Sequence, residues 1–247
     1  MRIGLFIPCF MNELYPEASM DTLRILEHLG LDVEYPFEQT CCGQPMANTG
    51  CAKEASVLAY RFLEIFKKYD YIVAPSGSCV SMVRQNYAQF LEGKDGFEHL
   101  RTHTYELVEF LHDIIKPDNL HVKFPFKVGI HNSCHAHRHL RLASMSERNE
   151  APFSKIKALL EKAEGIEFVE LTRVDECCGF GGTFCVSEEA MSVAMGKDRV
   201  QDHLKAGVQI ITGVDMSCLM HMQGIIDRDK LPIKTMYVGQ ILAGGIV

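Results

Sequence analysis

The chain has 247 residues, 47% hydrophobic and 23% charged, with a formal net charge of −7. This is ordinary globular usage, which excludes disorder and fibrous repeats. No apolar run reaches the ~18 residues of a spanning helix, and an acidic balance without a Lys/Arg run excludes nucleic acid as a partner.

In chain order, Arg2–Ile7 is an apolar run of strand length, better suited to a buried strand than to a signal peptide, so a cytoplasmic location is expected. Residues 16 to 29 have helical spacing between Pro16 and Gly30, a start-and-stop pair. Leu31–Tyr35 reads as a strand, Ala52–Tyr69 as an amphipathic helix and Tyr71–Ala74 as a buried strand. Turn formers Pro117, Asp118, Asn119 and Pro125 then mark a boundary. Beyond it the order repeats, with strand Lys127–His131, helix Phe153–Ala163, strand Ile166–Leu171, helix Ser187–Ala206 and strand Val208–Thr212. The alternation predicts an α/β protein made by tandem duplication of a parallel-sheet unit, with repeats 1–118 and 119–247.

The ten cysteines carry the same duplication. Cys9, Cys41-Cys42-Gly43, Cys51 and Cys79 are matched by Cys134, Cys177-Cys178-Gly179, Cys185 and Cys218. Ile3-Gly4-Leu5 parallels Val128-Gly129-Ile130, and Ser78-Cys79 parallels Ser217-Cys218. Without an export signal, ten cysteines point to metal, cluster or redox chemistry rather than to disulfides. Each lone or paired cysteine follows a predicted strand, and the carboxyl ends of parallel strands share one sheet edge. Each repeat is therefore expected to build one four-thiolate site, from Cys9, Cys41, Cys42 and Cys79, and from Cys134, Cys177, Cys178 and Cys218. Four thiolates suit zinc or an iron–sulfur cluster. Adjacent cysteines chelate one small ion poorly but reach different irons of a cluster, which favours the cluster. A vicinal disulfide is a third, weaker option. Gly43 and Gly179 are expected to let the backbone approach the bound group.

The pattern C-x31-CCG-x35-C at residues 9, 41–43 and 79, with its second copy and the stretches Pro75–Cys79 and Cys177–Thr183, resembles the cysteine-rich CCG domain of heterodisulfide reductases, glycolate oxidase iron–sulfur subunits and related Fe–S oxidoreductases. The closer match is to the lactate-utilisation protein A group. The resemblance implies an iron–sulfur electron-transfer subunit of a multi-protein enzyme oxidising L-lactate to pyruvate. Its implied partners are a ferredoxin-like Fe–S subunit and a third lactate-utilisation subunit. One departure matters, because the heterodisulfide reductase motifs end in CxxC whereas these end Cys79-Val80-Ser81-Met82 and Cys218-Leu219-Met220-His221. Met is a poor cluster ligand and His a usable one, so His221 joins the candidate ligands. One 4Fe–4S cluster per repeat is expected, with zinc in one repeat as the alternative implied by some CCG proteins. A zinc-stabilised, non-catalytic assembly subunit is the rival function.

Cys51 and Cys185 are expected to be buried structural thiols. The segment holding His131, His135, His137, His139, Arg138 and Arg141 is either a solvated basic loop or a carboxylate site, with Arg138 as clamp and His135 as proton acceptor. Arg173, Asp175 and Glu176 read as a charged turn, and Phe180–Thr183 as a tight loop around the bound group. No flavin or nicotinamide fingerprint is present.

Overall fold

The computed structural model describes residues 1–118 and 120–246; Asn119, expected at the boundary turn, and Val247 lie outside the described residues. Among the described residues, eight short strands form two four-stranded sheets. β1 (Arg2–Leu5), β2 (Asp32–Glu34), β3 (Tyr71–Ala74) and β4 (Thr104–Glu106) build the first, in the order β2-β1-β3-β4. β5 (Lys127–Ile130), β6 (Glu167–Phe168), β7 (Ile210–Gly213) and β8 (Lys234–Tyr237) build the second, in the order β6-β5-β7-β8. All pairings are parallel, and the registers correspond, with Gly4 opposite Ile72 and Gly129 opposite Ile211. The duplication is thus present in the topology as well as in the cysteines.

In each sheet the strand order reverses beside the first strand, at β1/β3 and at β5/β7. At such a switch point neighbouring loops diverge and leave a crevice at the carboxyl ends of the strands. The first repeat's predicted helices appear at Pro16–His28 and Ala52–Phe66, and the second repeat's at Lys155–Leu160 and Glu189–Lys205. Fully buried Leu5, Phe6, Ile72 and Val73 in one sheet and Val128 and Ile211 in the other form the middle of a core that runs continuously through both repeats.

The repeats exchange their last helices. Val238–Ala243, which follows β8, packs on Pro16–His28 of the first repeat. Reciprocally, Leu107–Glu109 and the π-helical turn Phe110–Ile115, which follow β4, pack on Lys155–Leu160 of the second. Among the described residues no helix is long and apolar enough to cross a membrane.

Candidate metal centres

Cys9 opens the helix Cys9–Leu14 after β1, Cys41-Cys42 lie in the loop after β2, and Cys79 lies in the helix Gly77–Ser81 after β3. The second repeat places Cys134 in the helix Cys134–Arg138, Cys177-Cys178 in the loop after β6, and Cys218 in the helix Met216–Arg228. Cys42 and Cys178 are the buried members of the two pairs, each 2% exposed. Cys42 Sγ lies 3.3 Å from Cys79 Sγ. The backbone N–H of Gly43 donates to Cys41 Sγ, and that of Gly179 to Cys177 Sγ, each at 3.3 Å.

Both glycines are left-handed, with φ of +84° and +87°. The close approach they permit is to the following helix: a Cβ on Gly179 would lie 2.5 Å from the carbonyl oxygen of Ser192, and one on Gly43 3.4 Å from that of Ala55. Both turns therefore fold back against their helices.

Crowding splits the thiol ionisation within each set. Hydrogen bonds from Cys42 and Cys9 hold Cys41 down to about 3, and those from Cys134 and Cys178 hold Cys177 down to about 2. The same contacts push Cys9 and Cys42 up through Cys41, and Cys134 and Cys178 up through Cys177, with burial adding to each rise. Thiols packed this closely suit a bound cation, which displaces their protons.

The two sets open into adjoining cavities. The first, of about 310 Å³, is lined by Cys9, Cys41, Cys42 and Cys79; the second, of about 120 Å³, by Cys134, Cys177, Cys178 and Cys218. Gln44, Pro45, Ser78, Phe180, Gly182 and Ser217 line both. Phe180 also meets Phe10 of the first repeat edge-on, with ring centroids 6.0 Å apart. The Phe180–Thr183 loop therefore stands between the centres instead of enclosing one.

The histidine-rich segment is not a solvated loop. His131 and His137 are buried, and His137 meets the carbonyl of Ser144 at 2.7 Å and Asp175 at 3.5 Å. His139 Nδ1 lies 2.6 Å from Ser81 Oγ of the first repeat. His135 lines the second cavity, with Nε2 3.4 Å from Gln44 Nε2. Arg138 pairs with Glu147 at 2.9 Å, both half exposed. Arg173 pairs with Glu176 at 2.7 Å, as a charged turn would.

His221 meets the carbonyl of Ser192 at 3.2 Å through Nε2. Among the described residues the histidine that groups with cysteines is His131, for which a ring nitrogen and the sulfurs of Cys178 and Cys218 all lie within 4.8 Å of one another. Met82 is fully buried, with Asn86 donating to its sulfur at 3.4 Å. The expectation of buried thiols at Cys51 and Cys185 is corrected. Cys51 is exposed just before its helix begins, and Cys185 is half-buried, donating to the carbonyl of Gly182 at 3.0 Å.

Two functional residues carry no sequence signal of their own. Asp215 is 2% exposed, and its carboxylate accepts hydrogen bonds from Ser76 Oγ and Ser78 N, both at 2.9 Å, and from Ser133 Oγ. It binds the loop after β3 to the loop after β5, between the two centres. Arg199 is fully buried, donating through Nε to His131 Nδ1 at 3.2 Å and through NH1 to Asp202 at 3.2 Å. Burial and the Arg199 charge lower His131 to about 3, so its imidazole is neutral. Arginine can only donate, so His131 Nδ1 is the acceptor and its proton sits on Nε2. Among the described residues Nε2 has no hydrogen-bond partner although it is fully buried. A buried orphan N–H on a ring grouped with Cys178 and Cys218, together with eight thiols in two compact sets, fits a sulfur-rich metal group at this position.

Two α/β repeats, each presenting a Cys, a Cys-Cys-Gly turn and a further Cys at its switch point, define a duplicated cysteine-rich fold. A model of the cysteine-rich CCG domain matches residues 3–84 and again 128–223. Across essentially its whole length the chain is 38% identical to lactate utilization protein A of Exiguobacterium sp., with 99% of this chain and 98% of that protein covered. It is 36% identical to that of Halalkalibacterium halodurans, covering 98% and 96%, and 37% identical to that of Shouchella clausii, covering 98% and 98%. The chain belongs to the cysteine-rich CCG family together with these lactate utilization proteins A. In fold alone it is similar to the crystal structure of a hypothetical protein from Helicobacter pylori, with a TM-score of 0.65 and 10% identity over 99% of this chain and 49% of that one.

Proposed function

We propose that the chain is an iron–sulfur electron-transfer subunit of an oxidoreductase system that uses L-lactate. Cys9, Cys41, Cys42 and Cys79 would hold one four-iron cluster, and Cys134, Cys177, Cys178 and Cys218 the other. The observation that carries the reading is the pair of corresponding four-thiol sets lining adjoining cavities, each drawn from three separate segments that follow strands. Such clusters supply one-electron storage when bound. The chain's own part is to fix the sulfurs, separate the centres with Phe180 and bury Cys42 and Cys178 away from water. A ferredoxin-like subunit and a third lactate-utilisation subunit are the proposed partners. His135, at the mouth of the second cavity, is the proposed proton acceptor for a small hydroxy acid. Arg138 would serve as its carboxylate clamp by exchanging Glu147 for the substrate.

Anaerobic purification with iron, sulfide and zinc analysis, followed by EPR of the oxidised and reduced protein, tests the reading. About eight irons per chain with a redox-active signal are expected for two four-iron clusters, and Cys42→Ala and Cys178→Ala should each remove about half. The close grouping of Cys178 and Cys218 also fits a second reading in which the four thiolates of the second centre hold structural zinc. About four irons and one zinc would establish that version. Zinc alone, with no redox signal under strict anaerobiosis, would overturn electron transfer in favour of a zinc-stabilised assembly subunit.

A further inference from the structure

The two centres rest on different foundations. Phe6, just beyond β1, donates its backbone N–H to Val73 at 2.9 Å, and His131, just beyond β5, donates to Thr212 at 2.7 Å. The positions correspond. Gly43 approaches Ala55 and Leu58, whereas Gly179 approaches Ser192 and Met195 at the same spacing. Four residues further along each helix stand Phe62 and Arg199, and four beyond those, Phe66 and His203. In the first repeat the three positions are all aromatic, with Phe6 4.8 Å from Phe62 and 5.7 Å from Phe66 between ring centroids. In the second they are His131, Arg199 and His203, all buried. A stacked aromatic floor under one centre has become a polar one under the other.

Burying a guanidinium and two imidazoles carries a desolvation cost that an aromatic cluster avoids. Asp202 and the carbonyl of Arg173 occupy Arg199 NH1, and the carbonyl of Ile130 lies 3.4 Å from NH2. Its Nε is committed to His131. A metal-binding histidine ordinarily donates its second ring N–H to an acceptor, which leaves the first nitrogen free to ligate. Here Nδ1 accepts from a cation, so the buried, unpartnered Nε2 carries the proton and cannot ligate. What it can do is donate to sulfur.

We infer that His131, held by Arg199, is a hydrogen-bond donor to the sulfur of the second centre and sets its reduction potential above that of the first. This rests on the iron–sulfur reading. Hydrogen bonds to sulfur and nearby positive charge stabilise the reduced, more negative state. The first centre has Phe6 and Phe62 in the corresponding positions, and these supply neither. His131 is on this assignment a positioning residue, and the second centre is the electron acceptor of the pair.

The test uses the full chain, reconstituted anaerobically with iron and sulfide, with iron content and EPR-monitored redox titration of each centre. Cys178→Ala identifies the first centre's signal by removing the second. His131→Phe, the first repeat's own residue, should keep its iron and lower the second centre's potential, changing its oxidised-to-reduced ratio at fixed potential about tenfold, or ~59 mV for a one-electron couple. The first centre should not move. His131→Gln, whose amide can still donate, should recover part of the shift. Intact iron with an unchanged potential overturns the inference and leaves the iron–sulfur reading standing. Loss of half the iron in His131→Phe makes His131 a ligand and also overturns it. No iron in the wild type overturns the underlying reading, and this inference with it. Imidazole nitrogen NMR on the metal-free wild type tests the tautomer independently of any variant. A bare Nδ1 and a protonated Nε2 are expected, and a protonated Nδ1 is incompatible with the assignment.

Discussion

Ser76 and Asp215 stand at corresponding positions of the two repeats, each two residues after the third strand of its sheet, and their side chains are hydrogen-bonded to each other at 2.9 Å. Ser76 caps its own helix by accepting from Cys79 N, whereas Asp215 makes no side-chain cap to its own helix. Its carboxylate instead accepts from Ser78 N, in the first turn of the other repeat's helix. The last cysteine of the first centre is thus positioned by an acid of the second.

Asp215→Ala should therefore weaken the whole molecule. It strands the buried Ser76 and Ser133 hydroxyls, at about 1–3 kcal/mol each when unsatisfied, and the half-buried Ser78 N–H, so a loss of at least about 2 kcal/mol is expected in anaerobic urea unfolding. Asp215→Asn should cost less, and Ser76→Ala about 1 kcal/mol. A loss confined below 1 kcal/mol for Asp215→Ala would mean that the contact is not made in solution.

Gly179 and Gly43 should differ in tolerance. Both pay for a left-handed side chain, but only Gly179 would drive a Cβ to 2.5 Å from a backbone oxygen. Gly179→Ala is expected to cost about 2–4 kcal/mol and Gly43→Ala about 1 kcal/mol, measured as shifts in the urea midpoint. Equal costs would contradict the packing described.

Glu106 gives a pH dependence of definite sign. It is fully buried, and burial raises its carboxyl well above the ordinary range, with the Asp215 and Glu109 charges adding to the rise. The folded chain then binds a proton that the unfolded chain releases, so stability falls as pH rises from the ordinary carboxylate value toward the folded one. Glu106→Gln should be more stable than wild type at pH 8, with the gap closing by pH 5. Parallel unfolding midpoints across that range would show that Glu106 is ionised in the fold.

Phe180 makes its own prediction under the iron–sulfur reading. Because its ring lines both cavities, Phe180→Ala should join them and admit water and small chelators. Iron release to an exogenous chelator is expected to accelerate several-fold at both centres, with circular dichroism unchanged. Release from the second centre alone would mean that the ring shields only its own repeat.

β1, β3, β5 and β7 were legible because buried parallel strands read as apolar runs, and the edge strands β2 and β6 from the helix–strand alternation. β4 and β8 were not, since Thr104–Glu106 and Lys234–Tyr237 mix polar and aromatic residues with no such run. Ile166–Leu171 shortens to Glu167–Phe168, where pairing reaches only Lys127 and Val128 of β5. At the site, the cysteines were legible because duplication repeats them. Asp215 was not, because its partners lie in other loops, two of them across the repeat interface. The His131–Arg199 pair was hidden for another reason: its signal is a difference between the repeats, visible only by setting Phe6 and Phe62 against them.

The exchange of last helices bears on how such a chain arose. Val238–Ala243 covers the first repeat and Phe110–Ile115 covers the second, so a chain of half this length would leave one helix without a seat and one face without a cover. It would regain both by pairing with a second copy of itself, because reciprocal contacts are those of an isologous dimer. The present molecule is, in its packing, a homodimer joined into one polypeptide. That covalent joining is what freed Phe6 and His131 to diverge, since two identical subunits can never carry different residues at the same place.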